Sequence, residues 1–335
     1  GENLIKIYGL REAQGAPGEG YSLTRSRAAY IGYEFKYFIL LMDGFVKETG
    51  YTMEPICKGH FKKQYTACFI VAVSDIDAAV EICQNITKFS KESIVVIHNN
   101  ATSSFTNLNL EIKIREIIPG ECHRIFICHE RLSMNNPHEP SPNSLFEIYK
   151  TCICMARKLG EWKYAVFTQS NERFVRKGVD EYLANCPYEG GISEIPDLVS
   201  GVFKGHKMIK DVKIHGEDFG IYKTLMPEYE QFYYGQTEGS FVSRNIADVL
   251  CSRAPIDYKS VSHIQAPHEK IIPSIMHNFS ENIGNSITYI NWKNNLAVTK
   301  EIIEDIINNK MDGIYCVKRV NMDSIEIRNY INNLE

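Results

Sequence analysis

No run of about 18 apolar residues occurs in the 335, so no stretch of the sequence reads as a membrane-spanning helix. The longest apolar stretches, ACFIVAV (67–73) and SIVVIH (93–98), have the length of strands. There is no basic excess either. Lys and Arg number 37 against 41 Asp and Glu, for a net charge of -4, which argues against a nucleic-acid surface but leaves room for a local basic pocket around a phosphorylated ligand. The ten cysteines contain no C-x-x-C pair and no zinc-knuckle spacing. No G-x-G-x-x-G follows a strand-like run, and the Walker and G-x-S-x-G motifs are missing, so dinucleotide, ATP and nucleophile-elbow chemistry lack support. The sequence starts at Gly1 without a leader, and any signal or anchor is expected outside these 335 residues. The cysteines fit either buried free thiols in the cytosol or disulfides in a lumenal compartment. Three N-x-[ST] patterns, at Asn85, Asn100 and Asn278, tilt the expectation toward the secretory pathway.

What is present is an ordinary globular composition, 44% hydrophobic and 23% charged, enough for a real core in one large or two modest domains. Residues 1–64 read as an N-terminal arm and lead-in segment, Gly-rich at the start, ahead of a main domain at 65–335. From Thr66 strand-like and helix-like runs alternate. TACFIVAV (66–73) and SIVVIHNN (93–100) flank an amphipathic helix with Ser74 or Asp75 as its cap. HRIFICHE, a helix over 144–160, KYAVFTQS and a helix over 179–186 continue the order. Residues 187–235 lose the periodicity and read as loops and short antiparallel strands. SFVSRNIADVLCSR turns from strand to helix, HEKIIPSIMHN is a helix holding Pro273, and SITYINW and GIYCVKR are strands. Helices over 298–310, with Thr299 as cap, and 323–334 complete the pattern. The expected fold class is α/β, with a mostly parallel central sheet flanked by helices and both halves of the chain around that one sheet.

In such a sheet ligands sit outside the carboxyl ends of the strands. The polar residues there are Ser74-Asp75, His98-Asn99-Asn100, Thr168 to Glu172 and Lys318-Arg319, a set of donors, an acid and a basic pair that suits a phosphorylated, sugar-like ligand. SDID (74–77) is a literal D-x-D, a pattern that can hold Mg²⁺ or Mn²⁺. At a helix start, capping accounts for it better, and two aspartates two apart point to different faces. CHE (128–130) and PHEP (137–140) are weak as metal ligands. Glu269, in APHEK, is either a first-turn acid satisfying free N–H groups or a catalytic base.

Several strings, in order from about residue 65 to the C-terminus, resemble glycosyltransferase family 14, the core 2/I-branching N-acetylglucosaminyltransferases and their xylosyltransferase relatives. They are FIVAVSDIDAAVEIC, IVVIHNNATSS, the span 144–183, GSFVSRNIADVL, APHEKIIPSIM, ITYINW and GIYCVKRVNMDS. The resemblance implies a GT-A-type fold and an inverting transfer from a UDP-sugar to a glycan or glycoprotein acceptor. The glutamate of the family's Pro-Asp-Glu motif, its catalytic base, falls on Glu269. The lysine of its Lys-Phe-Asp motif falls on Lys318, beside Arg319, and the family uses such basic side chains in place of a metal. Successive strand residues face opposite ways, so one of the two reaches the phosphates, and Lys318 is favoured. His98, Asn99 and Asn100 match the family's donor-side His-Val-Asp. Asn171, Glu172 and Ser243 are the acceptor or sugar contacts. No metal and no other cofactor is implied. Two departures stand out. An arginine expected just before the ITYINW-like strand is Thr288, unless Lys293 or Arg319 substitutes, and the expected aspartate is Asn99 or Asn100. The resemblance further implies a type II Golgi protein joined to the membrane only by an anchor beyond this sequence, with some cysteines disulfide-bonded. A xylosyl- or glucuronosyltransferase, or an inactive glycan-binding member, are the alternatives.

Overall fold

The computed structural model describes residues 55–56, 64–133, 144–193, 195–196, 208–209, 212–253, 266–292, 297–321 and 323–334. The arm, the PHEP string and Lys293 lie outside the described residues.

Strand β1 (Gln64–Val73) is apolar almost throughout because both faces are covered. Its alternation sorts the two sides. Cys68, Ile70 and Ala72 join one hydrophobic cluster, and Ala67, Phe69, Val71 and Val73 the other. Helix α1 (Ile76–Phe89) follows, capped by Asp75, whose carboxylate accepts from the Ala78 amide at 2.8 Å. The cap on α1 therefore uses half of the D-x-D, and Asp77 pairs with Lys113 at the surface. After β2 (Ser93–Asn99) comes α2 (Asn107–Ile117), opened by a reciprocal capping box between Thr106 and Asn109. Sequence periodicity gives no sign of α2, because Leu108, Ile112 and Ile117 are exposed while Leu110 and Ile114 are buried. Strand β3 (Ile125–Ile127), helix α3 (Leu145–Ala156), strands β4 (Glu161–Gln169) and β5 (Glu172–Phe174), and helix α4 (Val179–Asn185) come next. Ser144 caps α3, its hydroxyl accepting from Glu147 N at 3.4 Å. The irregular region resolves into β6 (Gly190–Ser193), the short pairs β7 (Ile195–Pro196) with β8 (Met208–Ile209) and β9 (Val212–Lys213) with β10 (Tyr233–Tyr234), and helix α5 (Gly216–Leu225) between β9 and β10. The chain ends through β11 (Gln236–Ser243), α6 (Arg244–Ser252), α7 (His268–Phe279), β12 (Ile283–Asn285), β13 (Thr288–Ile290), α8 (Lys300–Ile307), β14 (Cys316–Lys318) and α9 (Ile325–Asn332). Among the described residues no helix is long and apolar enough to cross a membrane.

The main sheet has the order β12-β6-β11-β4-β1-β2-β3 and is parallel except for β11, which runs against both neighbours. Helices α3, α6 and α7 cover one face, and α1, α2 and α4 the other. The expected single sheet needs one correction. The SITYINW and GIYCVKR strands, β13 and β14, leave it and join β5 in a three-stranded sheet of order β13-β14-β5. That sheet has its own core with α8 and α9, built on Val175, Ile303, Ile306, Val317 and Ile331. Strand β5 crosses over only two residues after β4 ends, so the ends of the two sheets meet.

Gly239 makes that junction possible. It sits at a register shift in β11 with φ of 64°, and its carbonyl accepts from Ile287 N at 3.1 Å. A Cβ there would lie 1.9 Å from Thr288 Oγ1. Gly239→Ala is expected to combine left-handed strain with overpacking, for a loss of about 2–4 kcal/mol. Urea unfolding measures it, and a loss under about 0.5 kcal/mol, the size of an ordinary surface change, would contradict the packing described.

Two of the three sequons are spoken for. Asn85 is buried and exchanges two hydrogen bonds with the Phe174 backbone, at 2.7 and 2.9 Å, and Asn100 is buried at the end of β2. Asn278 is exposed. Cys122 is disulfide-bonded, and the other eight described cysteines are free thiols.

Candidate active site

The chain winds outward from β1 through β2 and β3, then returns to place β4 on the other side of β1. This reversal makes a switch point between the carboxyl ends of β1 and β4, the place where open α/β sheets bind their ligands. Register puts His98, Ala72 and Gln169 in one row across β2, β1 and β4, all toward the α3–α7 face. Strand spacing sets His98 and Gln169 about 10 Å apart with the small Ala72 between them.

Four ionisable side chains gather at this end. Glu269 is in the first turn of α7 and 6% exposed. Its carboxylate does not cap that helix. Oε2 accepts from the Tyr234 hydroxyl at 3.0 Å and Oε1 from the Gln236 side-chain amide. Pro273 helps to fix it. A proline four residues on has no N–H to give, so the Glu269 carbonyl is released from the helix ladder and accepts instead from Gly235 N at 2.9 Å. Both the backbone and the side chain of Glu269 thus hold the β10–β11 segment. Burial pushes its pKa up to about 7, the Glu238 charge adds to this, and the Tyr234, Lys318 and Gln236 contacts oppose it.

Lys318, the last residue of β14, is 8% exposed and forms an ion pair with Glu238 of β11, itself 3% exposed. Burial resists ionisation of Glu238, but the Lys318 charge and hydrogen bond prevail and hold its pKa below the ordinary value. Gln169 donates to the same Glu238 oxygen at 2.8 Å. Glu172 is fully buried, accepts from Thr288 Oγ1 at 2.9 Å and Gln169 N at 2.5 Å, and is pushed up to about 8 mainly by burial. Three carboxylates therefore surround one lysine, and the one bonded to it is the one held ionised.

The expected residues divide accordingly. Glu269, Lys318 and Glu172 come together. Arg319 turns away: its φ of 72° swings the chain, its guanidinium donates to Asn291 O at 3.0 Å and lies 5.4 Å over the Trp292 ring. The left-handed turn just past the end of β14 thus separates the two, and Lys318 is the one that joins the cluster. Thr288, where an arginine was expected, is the donor to Glu172. Asn171 lies in the β4–β5 turn, where its carbonyl accepts from Val320 N at 3.1 Å. His98 is buried; Nε2 accepts from Leu132 N at 2.9 Å, so the proton belongs on Nδ1, and burial, then Arg131, lower its pKa to about 4. Asn99 and Asn100 are used locally. Asn99 ties Ser103, Phe105 and Asn107 into the loop after β2, and Asn100 accepts from Thr102 N at 3.1 Å. Ser243 is not brought to the site. Because β11 is antiparallel, its last residue pairs with Tyr164 near the start of β4, at the opposite end of the sheet, and its hydroxyl caps α6.

Glu238, Gln236 and Tyr234 were missed by the sequence reading. The available signal was Gln236-Thr-Glu238, two polar side chains on one face of a strand buried throughout. Asp75 and Asp77 are used in a cap and a surface ion pair, and among the described residues no group of three His, Cys, Asp or Glu could hold an ion.

No protein-family model matches the sequence, and no curated protein matches it significantly. Solved structures give remote likenesses. The galactosyltransferase LgtC, in complex with donor and acceptor sugar analogues, superposes with a TM-score of 0.42 at 11% identity, covering 80% of this chain and 94% of that one. The bifunctional glycosyltransferase WbbM gives 0.38 at 11% identity, over 87% of this chain and 53% of its own. The mannosyltransferase PcManGT from Pyrobaculum calidifontis, in complex with GDP-Man and Mn²⁺, gives 0.29 at 14% identity, over 52% and 47%. At these scores they assign no activity.

Proposed function

We propose that the protein is an inverting glycosyltransferase that moves a sugar from a UDP-sugar, UDP-GlcNAc being the first to test, to a hydroxyl of a glycan acceptor. The observation that carries the reading is the buried Glu269 carboxylate, poised at about 7 at the carboxyl end of an α/β sheet and facing the same cluster as a buried lysine. In this reading Glu269 takes the proton of the acceptor hydroxyl as that oxygen attacks the anomeric carbon. The bond to the diphosphate breaks on the opposite face, and Lys318 stabilises the charge that develops there. In this reading Lys318 rather than a metal serves the diphosphate, which draws on the use of Asp75 in a cap and of Asp77 in a surface ion pair. A xylosyl- or glucuronosyltransferase would use the same base and differ around the sugar. The second reading is an inactive glycan-binding protein. It draws on the engagement of Lys318 by Glu238 and of Thr288 by Glu172.

Calorimetry with UDP and a panel of UDP-sugars, with and without EDTA, tests this. UDP and one UDP-sugar are expected to bind equally well in EDTA, and that sugar to be transferred or slowly hydrolysed. No binding at millimolar ligand would remove the enzyme reading. Binding lost in EDTA would remove the metal-free mechanism. Binding without turnover on an acceptor panel would favour the inactive protein.

A further inference from the structure

Lys318 already holds an anion. Its ammonium is paired with Glu238 in a place almost closed to solvent, and Glu238 Oε2 finds no side-chain partner among the described residues. We propose that Glu238 is a built-in counter-anion that occupies Lys318 in the free protein and selects for ligands able to satisfy both members of the pair. The inference rests on the reading of Lys318 as the phosphate-binding group.

The physical basis is the asymmetry of buried charge. Separating a desolvated pair costs more than its net worth, because the carboxylate left behind has lost its partner and has no water. A small anion that reaches Lys318 replaces one negative partner with another and leaves Glu238 unpaired. A nucleoside diphosphate sugar can do more. Its phosphate meets the lysine while a sugar hydroxyl donates to the released carboxylate. The groups facing Glu238 differ in what they offer its charge, Lys318 first and then His268 favouring the ionised form. They are Lys318 of β14, Glu172 of β5, Gln169 of β4, His268 and Glu269 of α7, Tyr149 of α3 and Tyr234 of β10. Of these, Lys318 makes the ion pair, and Gln169 donates to the oxygen that Lys318 also holds. Glu238 would thus exclude free phosphate and pyrophosphate while admitting the donor.

Glu238→Gln keeps the shape and removes the charge, so Lys318 loses its internal partner. Inorganic pyrophosphate and UDP, titrated separately by calorimetry, are expected to bind the variant at least tenfold more tightly than wild type, about 1.4 kcal/mol. The variant's melting temperature is expected to fall without ligand and to recover with pyrophosphate. The gain is expected to vanish in Glu238→Gln/Lys318→Met. Equal or weaker pyrophosphate binding in the folded variant would overturn the proposal. If Glu238→Gln does not fold, Glu238→Asp, which keeps the charge but withdraws it by one methylene, decides by the same readout with a smaller gain. Failure of UDP to bind wild type and variants alike would remove the phosphate role of Lys318 itself, a different result from UDP binding that ignores Glu238.

Discussion

Glu269→Gln is expected to cut sugar transfer by about 10²–10⁴-fold while UDP affinity stays essentially that of wild type. The amide keeps the size of the side chain and can still meet Gln236 and Tyr234, but cannot take a proton from a hydroxyl. The pH profile gives a second reading of the same residue. Because the base works only when ionised, kcat/KM is expected to rise with pH through an inflection near Glu269's value of about 7. Tyr234 donates to the charged form, so Tyr234→Phe is expected to move that inflection upward. Turnover retained in Glu269→Gln, or an unmoved inflection in Tyr234→Phe, would take Glu269 out of the role. Stability carries the opposite sign. Glu269 and Glu172 have folded values of about 7 and about 8 against 4.5 unperturbed, so the native state holds more protons than the unfolded chain in that window. Their contribution therefore weakens as pH rises from about 4.5 to about 8. Glu238 is lowered, so its contribution is present above the unfolded value and is lost as pH falls through the folded one.

The elements that could be read from the sequence are those whose pattern reports local geometry. The runs at 66–73 and 93–98 are apolar on both faces because helices cover both sides of the sheet, and such runs announce themselves. The caps at Ser74 or Asp75 and at Thr299 were legible because a short polar side chain before an apolar helix has few other uses, and the structure gives the first to Asp75. Helix α2 was hidden because its apolar residues are not confined to one face. The split into two sheets was hidden for another reason. It depends on Gly239 letting Thr288 approach β11, and a close approach between residues 49 apart leaves no trace in local periodicity. The site divides along the same line. Glu269 and Lys318 were visible through motif resemblance, whereas Glu238 acts only through what the fold brings to it. Ser243 shows the converse: a serine in a matching string is carried to the far end of the sheet by the direction of one strand.

Lys318→Met is expected to destabilise the protein by about 3–5 kcal/mol near neutral pH, the cost of leaving a buried carboxylate without its cation. Gln169 remains as a donor to Glu238 but brings no charge. The stranded carboxylate then favours its protonated form, so its folded pKa rises above the unfolded value. The sign follows: the penalty is largest at high pH and shrinks as pH falls toward 4.5 and below, where Glu238 is protonated in both states. In Glu238→Gln/Lys318→Met neither charge remains, and most of the stability is expected to return, so the double-mutant cycle should show a coupling of a few kcal/mol. Urea unfolding at pH 5 and pH 8 measures all four proteins. The cycle separates structure from function, because restoring stability does not restore a phosphate partner. If Lys318 meets the diphosphate, the double variant folds well and binds UDP poorly. If the double variant recovers both stability and UDP affinity, Lys318 serves only as the counter-ion of Glu238, and the diphosphate must be held elsewhere at the carboxyl ends of the strands.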